Sequence, residues 1–127
     1  MKKYFLIFVF LIFLTGCQTP GNPESWMEME KNACLPTAIA FREGLRKYNV
    51  WSEVVVYYYF DHKKSEQSGH AITAYMYPPG KNQLWTYDYM GSYRTRAYKE
   101  NPFDIALEAE RLRGRSHNQI YRAEFLK

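Results

Sequence analysis

The sequence has no C-x-x-C pair and no H-x-x-x-H pair, the spacings by which small domains usually hold zinc, so no metal site and no cofactor is expected. No internal repeat or low-complexity tract breaks the chain. It also lacks a strong charge of either sign. Of 17 Lys and Arg against 13 Asp and Glu, Lys2 and Lys3 belong to the extreme N-terminus, and the remaining 15 against 13 give only +2. So near a balance argues against nucleic acid as a partner, and it attracts a carboxylate-rich cell wall only weakly. The apolar run Tyr4 to Leu14 is too short for a membrane-spanning helix. Cysteine is scarce as well, with one at 17 and one at 34.

What is present begins with that N-terminal run. Lys2 and Lys3 followed by Tyr4 to Leu14 have the charged and apolar regions of a secretory signal. The run ends Leu14-Thr15-Gly16-Cys17, which resembles the lipobox of bacterial lipoproteins. That resemblance implies cleavage before Cys17 and a diacylglycerol on its sulfur, with the lipid bilayer as partner. Gln18 follows where inner-membrane retention usually shows Asp, so the resemblance implies the outer membrane, facing the periplasm, if the cell is Gram-negative. The expected organisation is a signal peptide over 1–16, a lipidated tether over 17–25 and one domain over 26–127. Removing 16 of 127 residues leaves 111, enough for a single core. Gln18 to Pro23, with two prolines and a glycine, suits a tether. With Cys17 acylated, Cys34 is expected to lack an intrachain disulfide partner.

Trp26 to Asn32 suggests a short helical turn. From Leu35 to Tyr48, Ala38, Phe41 and Leu45 recur at helical spacing, Pro36 fits only the first turn, and Asn49 suits a left-handed stop. Val50 to Phe60 is rich in valine and tyrosine and reads as a long, largely buried strand. Asp61 to Ser68 reads as a charged loop. His70 to Tyr77 and Gln83 to Tyr89 flank Pro78-Pro79-Gly80-Lys81-Asn82 as a hairpin, and Tyr93 to Tyr98 reads as an edge strand. Asn101-Pro102 opens a helix that Gly114 stops; Phe103, Ala106, Leu107 and Glu110 are expected on one side, and Ala106, Ala109 and Leu112 extend the buried stripe. The Arg111 to Arg115 cluster reads as a solvated helix end. Gln119 to Phe125 is a last strand. The sum is an α+β domain in which a helix carrying Cys34 packs on an antiparallel sheet with a second covering helix.

Cys34, His70 and Asp88 stand in the chain order thiol, imidazole, carboxylate, the parts of an activated cysteine nucleophile. A hairpin centred on Gly80 pairs residue 70 with 90, which leaves 70 and 88 on one face as diagonal neighbours; one centred on Pro79 pairs them directly. The carboxylate then orients the ring, and the helix N-terminus favours thiolate. The Cys34 N–H is a natural oxyanion donor, with Asn32 and Trp26 as side-chain candidates for a second. The same three residues are also a possible zinc set. The plainer alternatives are Cys34 as a buried small hydrophobe and Asp88 as the cap of a turn before Met90-Gly91.

Asn32-Ala33-Cys34-Leu35-Pro36-Thr37-Ala38, Gly69-His70-Ala71-Ile72-Thr73-Ala74-Tyr75 and Leu84-Trp85-Thr86-Tyr87-Asp88 resemble the three motif segments of transglutaminase-like cysteine enzymes, within the papain-like superfamily. The resemblance covers about Asn32 to Ser92 and implies a papain-like/transglutaminase-like fold. It implies acyl transfer through a thioester by Cys34, His70 and Asp88, released by water or an amine, on amides of envelope peptides, proteins or peptidoglycan stem peptides. Two other readings stand beside it. One is a non-enzymatic envelope lipoprotein that uses the same fold to bind a partner. The other is a wall endopeptidase of NlpC/P60 type, which Asp88 in the third position disfavours.

Overall fold

The computed structural model describes residues 34–127. The expected signal peptide, the tether, the turn over Trp26 to Asn32, and Cys17, Trp26 and Asn32 themselves lie outside the described residues. Helix α1 (Cys34–Arg46) is followed by strands β1 (Ser52–Asp61), β2 (Glu66–Met76), β3 (Leu84–Asp88) and β4 (Gly91–Thr95), then helix α2 (Pro102–Leu112) and strand β5 (Asn118–Phe125). The strands form one antiparallel sheet in the order β4-β3-β2-β1-β5. The architecture is α+β, with one helix among the described residues on each face of the sheet.

Parity along the central strands sorts the residues between the two helices. Val54, Val56 and Ala71 pack with Cys34 and Ala38 of α1. Their neighbours Val55, Tyr57 and Ile72 point the other way and pack with Ile105, Ala106 and Ala109 of α2. Because β1 is covered on both sides, it is apolar along its length instead of alternating. Val54, Val55, Tyr57, Ile72 and Ile105 are fully buried. A side chain of the Val, Ile or Leu kind buried in this way contributes about 1.5–3 kcal/mol of transfer free energy.

Both helices end on the same device. After α1, Asn49 takes φ 57°, the Val50 N–H donates to the Leu45 carbonyl and the Asn49 N–H to Arg46. After α2, Gly114 takes φ 72°, the Arg115 N–H donates to the Glu110 carbonyl and the Gly114 N–H to Arg111. These paired bonds satisfy the last helical carbonyls and fold the chain back over the final turn. At the other end of α2, the Asn101 carboxamide accepts from the Phe103 and Asp104 N–H groups ahead of Pro102.

Three sequence expectations change. The charged loop shrinks to a turn, because β1 runs to Asp61 and β2 begins at Glu66; Asp61 Oδ1 accepts from the Lys63 and Lys64 N–H groups and Ser65 supplies φ 52°. The buried side of α2 is Ile105, Ala106, Ala109 and Glu110, whereas Phe103 and Leu107 are exposed. Glu110 lies on the buried side because it is a hydrogen-bonded carboxylate there, accepting the Tyr57 hydroxyl from the facing strand β1. Finally, the arginine cluster is not uniformly solvated. Arg113 is buried, its side chain 0% exposed.

Candidate functional site

The β2–β3 hairpin pairs Thr73 with Tyr87 and Tyr75 with Trp85, the register centred on Gly80. His70 and Asp88 therefore share a face as diagonal neighbours, and His70 Nε2 lies 3.0 Å from Asp88 Oδ2, both groups buried. Burial pushes the Asp88 carboxyl up. The His70 hydrogen bond and charge, the Arg113 guanidinium and the Met90 N–H outweigh that and hold it below the ordinary carboxylate range. An ionised Asp88 is acceptor-only, so Nε2–H of His70 is the donor.

The face they share is the α2 face. His70 pairs with Tyr57, whose ring it meets edge-on at 5.7 Å, and Tyr57 belongs to the cluster under α2. Cys34 is on the other face, 6% exposed among Ala38, Val54, Val56, Tyr58 and Ala71. It opens the stripe Cys34, Ala38, Phe41, Leu45 at spacings of four, three and four, and Phe41 stacks on Tyr87 at 3.9 Å on that same α1 side. The sheet backbone thus stands between the sulfur and the ring. Hydrogen-bond reach for a nucleophile and its base is about 2.6–3.2 Å, with some loosening before substrate binds. Residues on opposite sides of one sheet do not meet that condition.

Cys34 is disulfide-bonded, and the other cysteine of the chain, Cys17, lies outside the described residues. A sulfur alkylated by diacylglycerol cannot also form a disulfide, so a chain lipidated at Cys17 holds no Cys17–Cys34 bridge. The zinc set Cys34, His70 and Asp88 is divided by the same sheet. Among the described residues, no three His, Cys, Asp or Glu side chains converge as a metal site.

What surrounds His70 and Asp88 instead is a lattice of buried charge from the end of α2. Arg113 Nε lies 2.8 Å from Asp88 Oδ2 as an ion pair, its N–H off the line to the oxygen, while Nη1 donates to the Thr86 hydroxyl and the Ala109 carbonyl. The turn at Gly114 brings Arg115 back over the helix, where Nε and Nη2 clamp the two oxygens of Glu110 at 3.0 and 2.8 Å. Glu110 further accepts from the Tyr57 hydroxyl and from Asn118 Nδ2. Burial, then the Glu110 charge and hydrogen bond, push the Tyr57 hydroxyl well above its ordinary value. Burial lowers the Arg115 guanidinium, but the Glu110 carboxylate more than reverses this and raises it. Two carboxylates and two guanidiniums balance, and each holds another in place. Asp88 Oδ1 also accepts from the Met90 N–H and so caps the tight turn into Gly91.

Sequence reading took Arg113 and Arg115 as solvated and did not foresee their ion pairs with Asp88 and Glu110. The one available signal was Gly114: a glycine stop between two arginines folds both toward the last turn of the helix.

The shifts set a pH profile. Asp88 is depressed when folded, so its stabilisation is present above the unfolded value of about 3.9 and is lost as pH falls through the lower folded value. Tyr57 is raised, so its contribution is intact below the unfolded value of about 10 and is lost as pH rises toward the folded one. Urea midpoints measured from acid to alkaline pH are expected to plateau between those limits. Asp88→Asn should flatten the acid limb. Tyr57→Phe should weaken the alkaline limb, with Tyr59, also raised by burial, supplying the remainder.

Residues 1–18 match the prokaryotic membrane lipoprotein lipid attachment site. No curated protein and no solved structure matches the chain. The attachment site makes this a lipid-anchored protein of the bacterial envelope. No helix among the described residues is long and apolar enough to cross a membrane.

Proposed function

We propose that the chain is a lipid-anchored envelope domain that works by binding a partner and not by acyl transfer, held by acylated Cys17 at the outer membrane and facing the periplasm where the cell has one. The observation that carries this reading is the division of the three expected catalytic groups by the sheet. Cys34 packs under α1 with Val54, Val56 and Ala71, whereas His70 and Asp88 face α2. The acid is moreover shared with Arg113 and holds Nε2 of His70. These contacts stabilise the fold on the α2 face, and the imidazole lies on the far side of the sheet from the thiol.

Alkylation of the lipidated protein in detergent, after reduction with dithiothreitol, tests the reading against the transglutaminase-like and NlpC/P60-type enzymes. Iodoacetamide is expected to modify Cys34 no faster than an unperturbed thiol, whose pKa is about 8.5, and His70→Gln is expected to leave the rate unchanged. A rate whose pH midpoint lies below about 7 and which drops tenfold in a folded His70→Gln variant overturns it and restores the catalytic triad.

A further inference from the structure

The opposite end of the α2 face carries a cavity of about 430 Å³, well away from His70 and Asp88. Met76, Leu84 and Ala97 line its floor, and Leu84 is fully part of the core. Its rim holds Arg96, Tyr98 and Lys99. We propose that this groove is a binding site for a short acidic peptide, seating an apolar side chain on the Met76–Leu84 floor and its carboxylates against Arg96 and Lys99.

Three features point to that ligand. The first is size, since 430 Å³ lies in the range of small-ligand sites and holds a few residues but not a folded domain. The second is charge. Arg96 and Lys99 are exposed and neither has a carboxylate within ion-pair distance among the described residues. Glu100 is the single acid at the rim, and nearby Glu108 is engaged by Arg111 at 2.8 Å, although it also feels the charge of Arg96. The third is a rim already shaped before binding. The Ala97 N–H donates to the Thr95 hydroxyl and the Asn101 N–H to the Tyr98 carbonyl, and the Lys99 ammonium rests 5.6 Å from the centre of the Trp51 ring. An ordered rim reduces the entropy lost on binding. Tyr98, 75% exposed on the wall of the cavity, supplies a rigid amphipathic surface of the kind that anchors peptides. An apolar floor beside paired cations matches a peptide carrying both kinds of group better than a bare inorganic anion. The site stands apart from the question of catalysis, because none of its residues belongs to the His70 network.

The test is calorimetric titration of the lipidated protein in detergent with two peptides, acetyl-Ala-Leu-Glu-Glu with a free carboxyl end and acetyl-Ala-Leu-Gln-Gln amide. The acidic peptide is expected to bind at least tenfold more tightly. The double variant Arg96→Glu/Lys99→Glu should abolish that preference, Tyr98→Ala should weaken binding severalfold, and Arg122→Glu on distant β5 should change nothing. All these positions except the tyrosine are exposed charges, so the fold is expected to survive, as circular dichroism will check. Equal binding of the two peptides, no binding of either, or unchanged affinity in the double variant overturns the proposal. Binding to phosphatidylglycerol vesicles without binding to the acidic peptide overturns it too, by giving the groove to a lipid surface.

Discussion

Arg113→Met is expected to lower the unfolding free energy by about 3–5 kcal/mol, the range for breaking a buried ion pair from one side. The guanidinium is fully enclosed and sits 2.8 Å from an acid that is itself only 2% exposed. Methionine fills much of the volume, so little of the loss comes from an empty cavity. It comes from Asp88, which keeps its charge, its burial and the His70 hydrogen bond but loses the cation that offsets desolvation. The Thr86 hydroxyl and the Ala109 carbonyl lose a partner as well. Small domains are stable by about 5–15 kcal/mol, so this one change approaches the threshold of folding. Urea denaturation at neutral pH measures it. The double variant Asp88→Asn/Arg113→Met should lose less than the sum of the two single losses, because removing both charges leaves neither stranded. Strict additivity would show that Arg113 contributes packing alone.

Why that pair was hidden in the sequence, while much of the fold was readable, has a physical reason. Asn49, Asn101-Pro102 and Gly114 act locally, through backbone conformation and orphaned helical groups, and each marks a helix boundary where the structure has it. The hairpin register followed from parity about Gly80 and brought His70 to Asp88. Which helix covers which face is a tertiary fact. β1 is apolar on both sides, so its pattern carries no face label, and nothing in the order thiol, imidazole, carboxylate tells whether α1 lies above or below the ring. The helical stripe held a partial warning. Cys34 stands four residues before Ala38 and seven before Phe41, inside the buried stripe and not beside it. Composition misled at the arginines, because a basic helix end is ordinarily solvated and only the fold-back at Gly114 buries this one.

Glu110 anchors the second half of the lattice, and its removal has the other large effect. Glu110→Ala is expected to cost about 3–5 kcal/mol, since three side chains donate four hydrogen bonds to one carboxylate that is nearly enclosed. Their fates differ. Arg115 has a side chain about a quarter exposed and can swing to water, so it recovers much of its solvation. Tyr57 cannot, because it is fully buried in the core between β1 and α2. Asn118 already has one buried side-chain oxygen without a partner and would lose its donor bond too. Glu110→Gln keeps the shape and an acceptor for Tyr57 but drops the charge, so about half of the loss should return. Tyr57→Phe in the Glu110→Ala background should then be stabilising, because it removes the stranded hydroxyl, whereas in the wild-type background it should cost about 1–2 kcal/mol. That reversal of sign, read from urea midpoints, separates a hydrogen-bonded lattice from simple core packing; a Tyr57→Phe effect of the same sign and size in both backgrounds would rule the lattice out.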